Sequence, residues 1–146
     1  MKLSTRTRYG TRALLELALR EGEGPVFLKD IAKNQRISLH YLEHLVAPLI
    51  SGGIIRSTKG PRGGVALARK PEDINMKEIW QLLEGSLAPV ECVNDSGACD
   101  RSGTCATREI WINLKEVMDR MLERTTLKDL AEKQKKNPPA PDMYYI

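Results

Sequence analysis

All three cysteines of this 146-residue chain lie between Cys92 and Cys105, spaced C-x6-C-x5-C. Gly97, Gly103, Asp95, Asp100, Ser96 and Ser102 separate them, with almost nothing apolar to bury. Such a segment has no core face, so packing alone does not order it. Three thiols gathered on a polar loop can order it by binding a metal, since a thiolate is a soft ligand for zinc, copper or an iron–sulfur cluster.

Other uses of the thiols stay open at this point. A disulfide leaves one cysteine over, and the polar start Met1-Lys2-Leu3-Ser4-Thr5-Arg6 does not read as a secretory signal. No apolar run is long enough to span a membrane, so the expected location is cytoplasmic, where stable disulfides are rare. A thiol redox enzyme would want a C-x-x-C pair beside a helix start, which is absent. With no other catalytic constellation in the chain, an enzyme is not expected. A purely structural zinc remains an alternative, although zinc normally takes a fourth ligand at short spacing.

Charge is divided unevenly. Residues 1–70 hold 13 Lys and Arg against 5 Asp and Glu, whereas residues 71–146 hold 10 against 14. The first half therefore suits a polyanion. Its pattern predicts a helix from Ser4 or Thr5 to about Arg20, with Tyr9, Ala13, Leu14, Leu17 and Ala18 inward. A short helix follows over Leu28 to Gln35, then a turn at Arg36-Ile37. Ser38 caps the next helix, whose inward face is Leu39, Leu42, Leu45, Val46 and Leu49. Two short helices across a tight turn set a recognition helix into a major groove. Its outward residues are Ser38, His40, Tyr41, Glu43 and His44, each able to hydrogen-bond, and Glu43 can accept from a cytosine amine. His40 and His44 are one turn apart, a spacing that can bind a metal, but with no third ligand nearby both read as groove-facing donors or plain surface residues. A strand, turn and strand over 54–68 form a wing whose tip, Lys59-Gly60-Pro61-Arg62, can lie on the DNA backbone or in a minor groove.

In the second half, Pro71, Glu72 and Asp73 are expected to open a helix carrying Ile74, Met76, Ile79, Trp80, Leu82 and Leu83, closed by Gly85. After the cysteine loop, Thr104 is expected to cap a long helix. Ile110, Trp111, Leu114, Val117, Met118, Met121 and Leu122 recur along it at three and four residues. Little chain remains to cover that stripe, so it reads as a homodimer seam, the alternative being packing on the first helix. Thr126 and Asp129 form a capping box for a last short helix to about Lys135. The Pro-rich end, 136–146, reads as a disordered tail.

The fold class is thus mainly α with a small β-hairpin wing. The expected units are a winged helix–turn–helix over 1–85, a cluster-binding loop over 86–105, and a dimerisation helix with a short following helix over 106–135.

This order, with Met1-Lys2-Leu3-Ser4, Ser38-Leu39-His40-Tyr41-Leu42-Glu43, Lys59-Gly60-Pro61-Arg62-Gly63-Gly64 and the cysteine loop followed by Trp111, resembles the Rrf2 family of bacterial transcriptional regulators. The likeness is greatest to its iron–sulfur-sensing branch and covers residues 1–135. It implies a [2Fe–2S] cluster on Cys92, Cys99 and Cys105, control of cluster-assembly genes, and base reading by Ser38, His40, Tyr41, Glu43 and His44 with Lys59 at the wing. The partner implied is a double-stranded DNA operator. In that branch a histidine three residues past the last cysteine completes the coordination; here Arg108 stands there. A guanidinium offers no lone pair. The fourth ligand is therefore open among Glu91, Asp95, Asp100, Thr107, Glu109, solvent or the other subunit. The nitric-oxide-sensing branch, with three cysteines and a distant acidic ligand, is the alternative.

Overall fold

The computed structural model describes residues 2–141. Helix α1 spans Thr5–Leu19, and its start is made by the Ser4 hydroxyl accepting from the Thr7 N–H. Helix α2 (Leu28–Gln35) ends on Arg36, the one non-glycine among the described residues with positive φ, at 55°. That left-handed residue makes the tight turn into α3 (Leu39–Ser51), which Ser38 caps by accepting from the Tyr41 N–H. Pro48 lies inside α3 without ending it, and Gly52 closes the helix.

The antiparallel hairpin follows as β1 (Ile55–Thr58) and β2 (Gly64–Leu67), in register Ile55 with Leu67. Val26 adds a short third rung by exchanging both backbone hydrogen bonds with Val65, each 2.8 Å. Gly64 permits this approach. Its φ is +148°, and a Cβ there would lie 2.4 Å from the Val26 carbonyl oxygen.

The helix expected to open at Pro71 is divided instead. Pro71–Asp73 is a 3₁₀ turn, Ile74 is extended, and α4 (Met76–Leu83) begins afresh with Asn75 as its cap. The break has a cause. Asn75 forms a β-bridge with Thr126, the Leu127 N–H donates to the Ile74 carbonyl at 2.9 Å, and the Met76 N–H donates to the Thr125 carbonyl at 2.8 Å. Those bonds need extended backbone and are invisible to helical periodicity.

The loop holds two short turns, α5 (Glu91–Asn94) and a 3₁₀ turn at Ser96–Ala98, with no buried residue in either. Helix α6 runs Ala106–Arg124 and begins at Cys105 rather than at Thr104, with no side-chain cap. Helix α7 (Leu127–Lys136) shows the expected capping box between Thr126 and Asp129. The tail expected from 136 loses Lys136 to α7, and its positions 142–146 lie outside the described residues.

One core unites Leu14, Leu17, Ile31, Leu42, Val46, Leu49, Ile54, Val65, Ile74, Ile79 and Leu83 with Leu127 and Ala131 of α7. Burying each such large side chain is worth about 1.5–3 kcal/mol relative to leaving it in water. Leu39, expected inward, is 43% exposed. As the first residue of α3 it lies before the helix meets the core. At Gly10 α1 comes so close to α4 that a Cβ would lie 2.5 Å from Leu83.

Candidate functional site

The face expected to read DNA is assembled by α2, the Arg36 turn and α3. Leu42, Leu45, Val46 and Leu49 are buried, which turns His40, Glu43 and His44 outward. Ser38 is exposed at the cap, and its hydroxyl oxygen is held by the Tyr41 N–H at 3.1 Å. Tyr41 is half-buried, with its hydroxyl 3.3 Å from Thr5 Oγ1 and its ring edge-on to Tyr9. It thus spans α3 and the start of α1. Lys59, Gly60, Pro61 and Arg62 form the exposed wing tip. The residues expected to read DNA therefore lie together on α3 and at the wing tip, with Tyr41 also serving as a brace.

The start of α1 is fastened from the other side. The hydroxyls of Ser4 and Thr7 both donate to the Glu84 carboxylate at the end of α4. These bonds, Ser4 first, hold the Glu84 carboxyl below its usual pKa. Thr7 is buried, so this contact lies at the edge of the core. Sequence periodicity missed it because all three residues are polar; the weak signal was Thr7 on the apolar stripe of α1.

The cysteine loop is built differently. Cys92 sits on α5, half-buried; Cys99 is exposed after the 3₁₀ turn; Cys105 is half-buried at the start of α6. All three are free thiols. The Thr107 hydroxyl lies 3.1 Å from the Cys105 Sγ. That contact, then the Arg108 backbone N–H at the start of α6, lowers the Cys105 pKa, with Arg101 assisting by charge. Among the described residues no group of three His, Cys, Asp or Glu is arranged to hold a metal ion. The donor chemistry suits a cluster, three accessible thiols on one loop, but the loop does not gather them in advance. Arg108 makes a contact of its own: its Nε donates to the Cys92 carbonyl at 2.9 Å, tying α5 to α6.

Helix α6 buries none of its residues. It rests on α4 rather than on α1, through Lys77, whose ammonium lies 3.5 Å from Asp119 and 2.5 Å from Glu123, with Lys115 on Asp119 at 2.7 Å. Its other side exposes Ile110 (58%), Val117 (54%) and Met121 (67%), with Trp111 and Leu114 also open. No helix among the described residues is long and apolar enough to cross a membrane.

A winged helix–turn–helix with its reading face open and a cysteine loop beside it defines a DNA-binding transcriptional regulator. The chain belongs to the Rrf2 family, whose profile, described as an iron-dependent transcriptional regulator, matches residues 3–133. Protein rrf2 of Nitratidesulfovibrio vulgaris is 48% identical over 89% of this chain and 87% of its own length. The regulator CymR of Bacillus subtilis is 42% identical, covering 90% of each. Among solved structures, that of CymR, the global cysteine regulator of B. subtilis, superposes with a TM-score of 0.78 at 41% identity over 91% of this chain and 98% of that one. T. potens IscR superposes equally well, at 0.78 and 36% identity over 99% and 97%. The relatives are regulators, not enzymes.

Proposed function

We propose that the chain acts in the cytoplasm as a homodimer joined along α6, binds a roughly palindromic operator, and reports the state of its cysteine loop. Ser38, His40, Tyr41, Glu43 and His44 read base edges in the major groove, while Lys59 and Arg62, on the turn made by Gly60 and Pro61, engage the backbone. Cys92, Cys99 and Cys105 would hold a [2Fe–2S] cluster, which supplies a redox-active and removable signal. Control of cluster-assembly genes is the expected output, and nitric-oxide sensing is the neighbouring alternative.

One observation carries this reading: the loop and the exposed helix are mechanically joined. Helix α6 starts from Cys105, and Arg108 on α6 grips the Cys92 carbonyl. A change in loop shape is therefore felt at the start of the dimer helix. A ligand shifts the reading heads only by its differential affinity for the two arrangements.

Anaerobic operator binding by holo and apo protein at one salt concentration tests the proposal, with Cys92→Ala as control. Occupancy is expected to change affinity by about tenfold, a coupling of roughly 1.4 kcal/mol. Equal affinity of holo and apo forms sinks it.

A second reading rests on its own observation. The Thr107 hydroxyl lies 3.1 Å from the Cys105 Sγ and, with the Arg108 N–H, favours its thiolate, which supports a thiol sensor without a cluster. Charge-transfer bands in protein purified without oxygen support the cluster; a colourless protein whose operator affinity follows thiol oxidation supports the thiol sensor. Colourless protein with stoichiometric zinc indicates a structural metal.

A further inference from the structure

DNA reading does not account for how the two histidines of α3 are placed against each other. His40 and His44 are both exposed, and their Nε2 atoms are 3.1 Å apart. The rings meet edge to face, with centroids 4.5 Å apart and planes at 89°. In the neutral pair one Nε2–H donates to the lone pair of the other Nε2.

We infer that this pair is a two-nitrogen chelating site for a divalent late first-row transition cation such as Zn²⁺ or Ni²⁺. Imidazole is a preferred ligand of this class. With metal–nitrogen bonds of about 2.0–2.1 Å, a 3.1 Å separation subtends about 95–102° at the metal. That angle lies between the octahedral and tetrahedral values, so the helix already holds the two nitrogens at a chelating separation. An incoming ion displaces the shared hydrogen and sits to one side of the line joining the two nitrogens, the exposed rings turning to aim both lone pairs at it. Each ring then carries its proton on Nδ1: the donating ring releases its Nε2 proton to water and takes one up at Nδ1, so the neutral pair loses no proton overall. Both rings face solvent, and water fills the remaining positions. Arg6 borders the same recess as His44 and sets the affinity below that of an isolated pair. The site is distinct from the cysteine loop in position and in ligand softness. It stands whether or not α3 enters a groove, since the inference concerns the protein without DNA.

The test uses the tag-free full chain with Cys92, Cys99 and Cys105 all changed to Ser, which removes competing thiols. Zn²⁺ is titrated while the histidine Cε1 protons are followed by NMR. The chain has two histidines, so each is seen separately. Both resonances are expected to shift together and saturate at one equivalent. His40→Gln and His44→Gln should each weaken Zn²⁺ binding at least about 30-fold through loss of the chelate, with unchanged circular dichroism. A shift of one resonance alone, no shift at all, or a single variant within about threefold of its parent overturns the inference. The resonance test needs no histidine variant and stands even if one unfolds.

Discussion

The winged region and the loop with its long helix satisfy their apolar surfaces in opposite ways. Helices α1 to α4 each send apolar side chains into a common core, and α7 returns to join them. Helix α6 is longer than any of these, yet buries nothing. The first region is specified by its own packing. The second leaves Ile110, Val117 and Met121 exposed and keeps its thiols free. The part that carries the thiols is thus not the part that holds the fold together.

The contrast is broken most directly by substitution in the core. Leu42→Ala, at a fully buried position, should cost about 2–5 kcal/mol in urea unfolding. Changing all three cysteines to Ser should stay within about 0.5 kcal/mol in the apo protein, because none is buried. Similar losses from both would erase the distinction.

Next comes the stripe on α6. Val117→Asp places a charge on the proposed seam in both subunits and should weaken self-association at least about 30-fold, as for a central interface residue. Sedimentation equilibrium measures it; an unchanged dimer means that α6 is covered otherwise.

A smaller effect sharpens the comparison inside the winged region. The Glu84 carboxyl is held below its ordinary pKa by Ser4 and Thr7. Its contribution is complete above the pKa of the unfolded chain and fades as pH falls through the lower folded value. Glu84→Gln should therefore lose stability at neutral pH and show a shallower decline in the acid range. Parallel acid-unfolding curves for the two proteins would mean that this contact adds nothing to stability.

The smallest effect lies in the loop. Thr107→Val removes the leading cause of the lowered Cys105 pKa. The pH midpoint of Cys105 alkylation should move up, read by mass spectrometry of the Cys105 peptide, with no change in fold. An unmoved midpoint would leave the Arg108 N–H and the Arg101 charge as the causes.

Much of the fold is legible in the sequence where one local rule suffices. Ser38 and the Thr126–Asp129 box are read from cap chemistry, and the buried leucines of α3 from helical spacing. What escapes depends on contacts distant in sequence. The extended break at Ile74–Asn75 exists because residues 125–127 pair with it. The Ser4–Thr7–Glu84 contact joins residues about 80 apart through polar atoms that carry no periodicity. Among site residues, Cys92, Cys99 and Cys105 stand out at once as potential donors, yet their spacing carries no measure of how far the loop gathers them. Arg108 is recognisable by what it cannot ligate, whereas its bond to the Cys92 carbonyl emerges only in three dimensions.

The pairing at residues 74–76 with 125–127 has a consequence for motion. Main-chain bonds splice the far end of α6 onto the root of α4, while Arg108 clamps its near end to the turn bearing Cys92. A rod gripped at both extremities does not swing freely; it twists. Met76 opens α4, and α4 packs in turn on α3, the helix proposed to read bases.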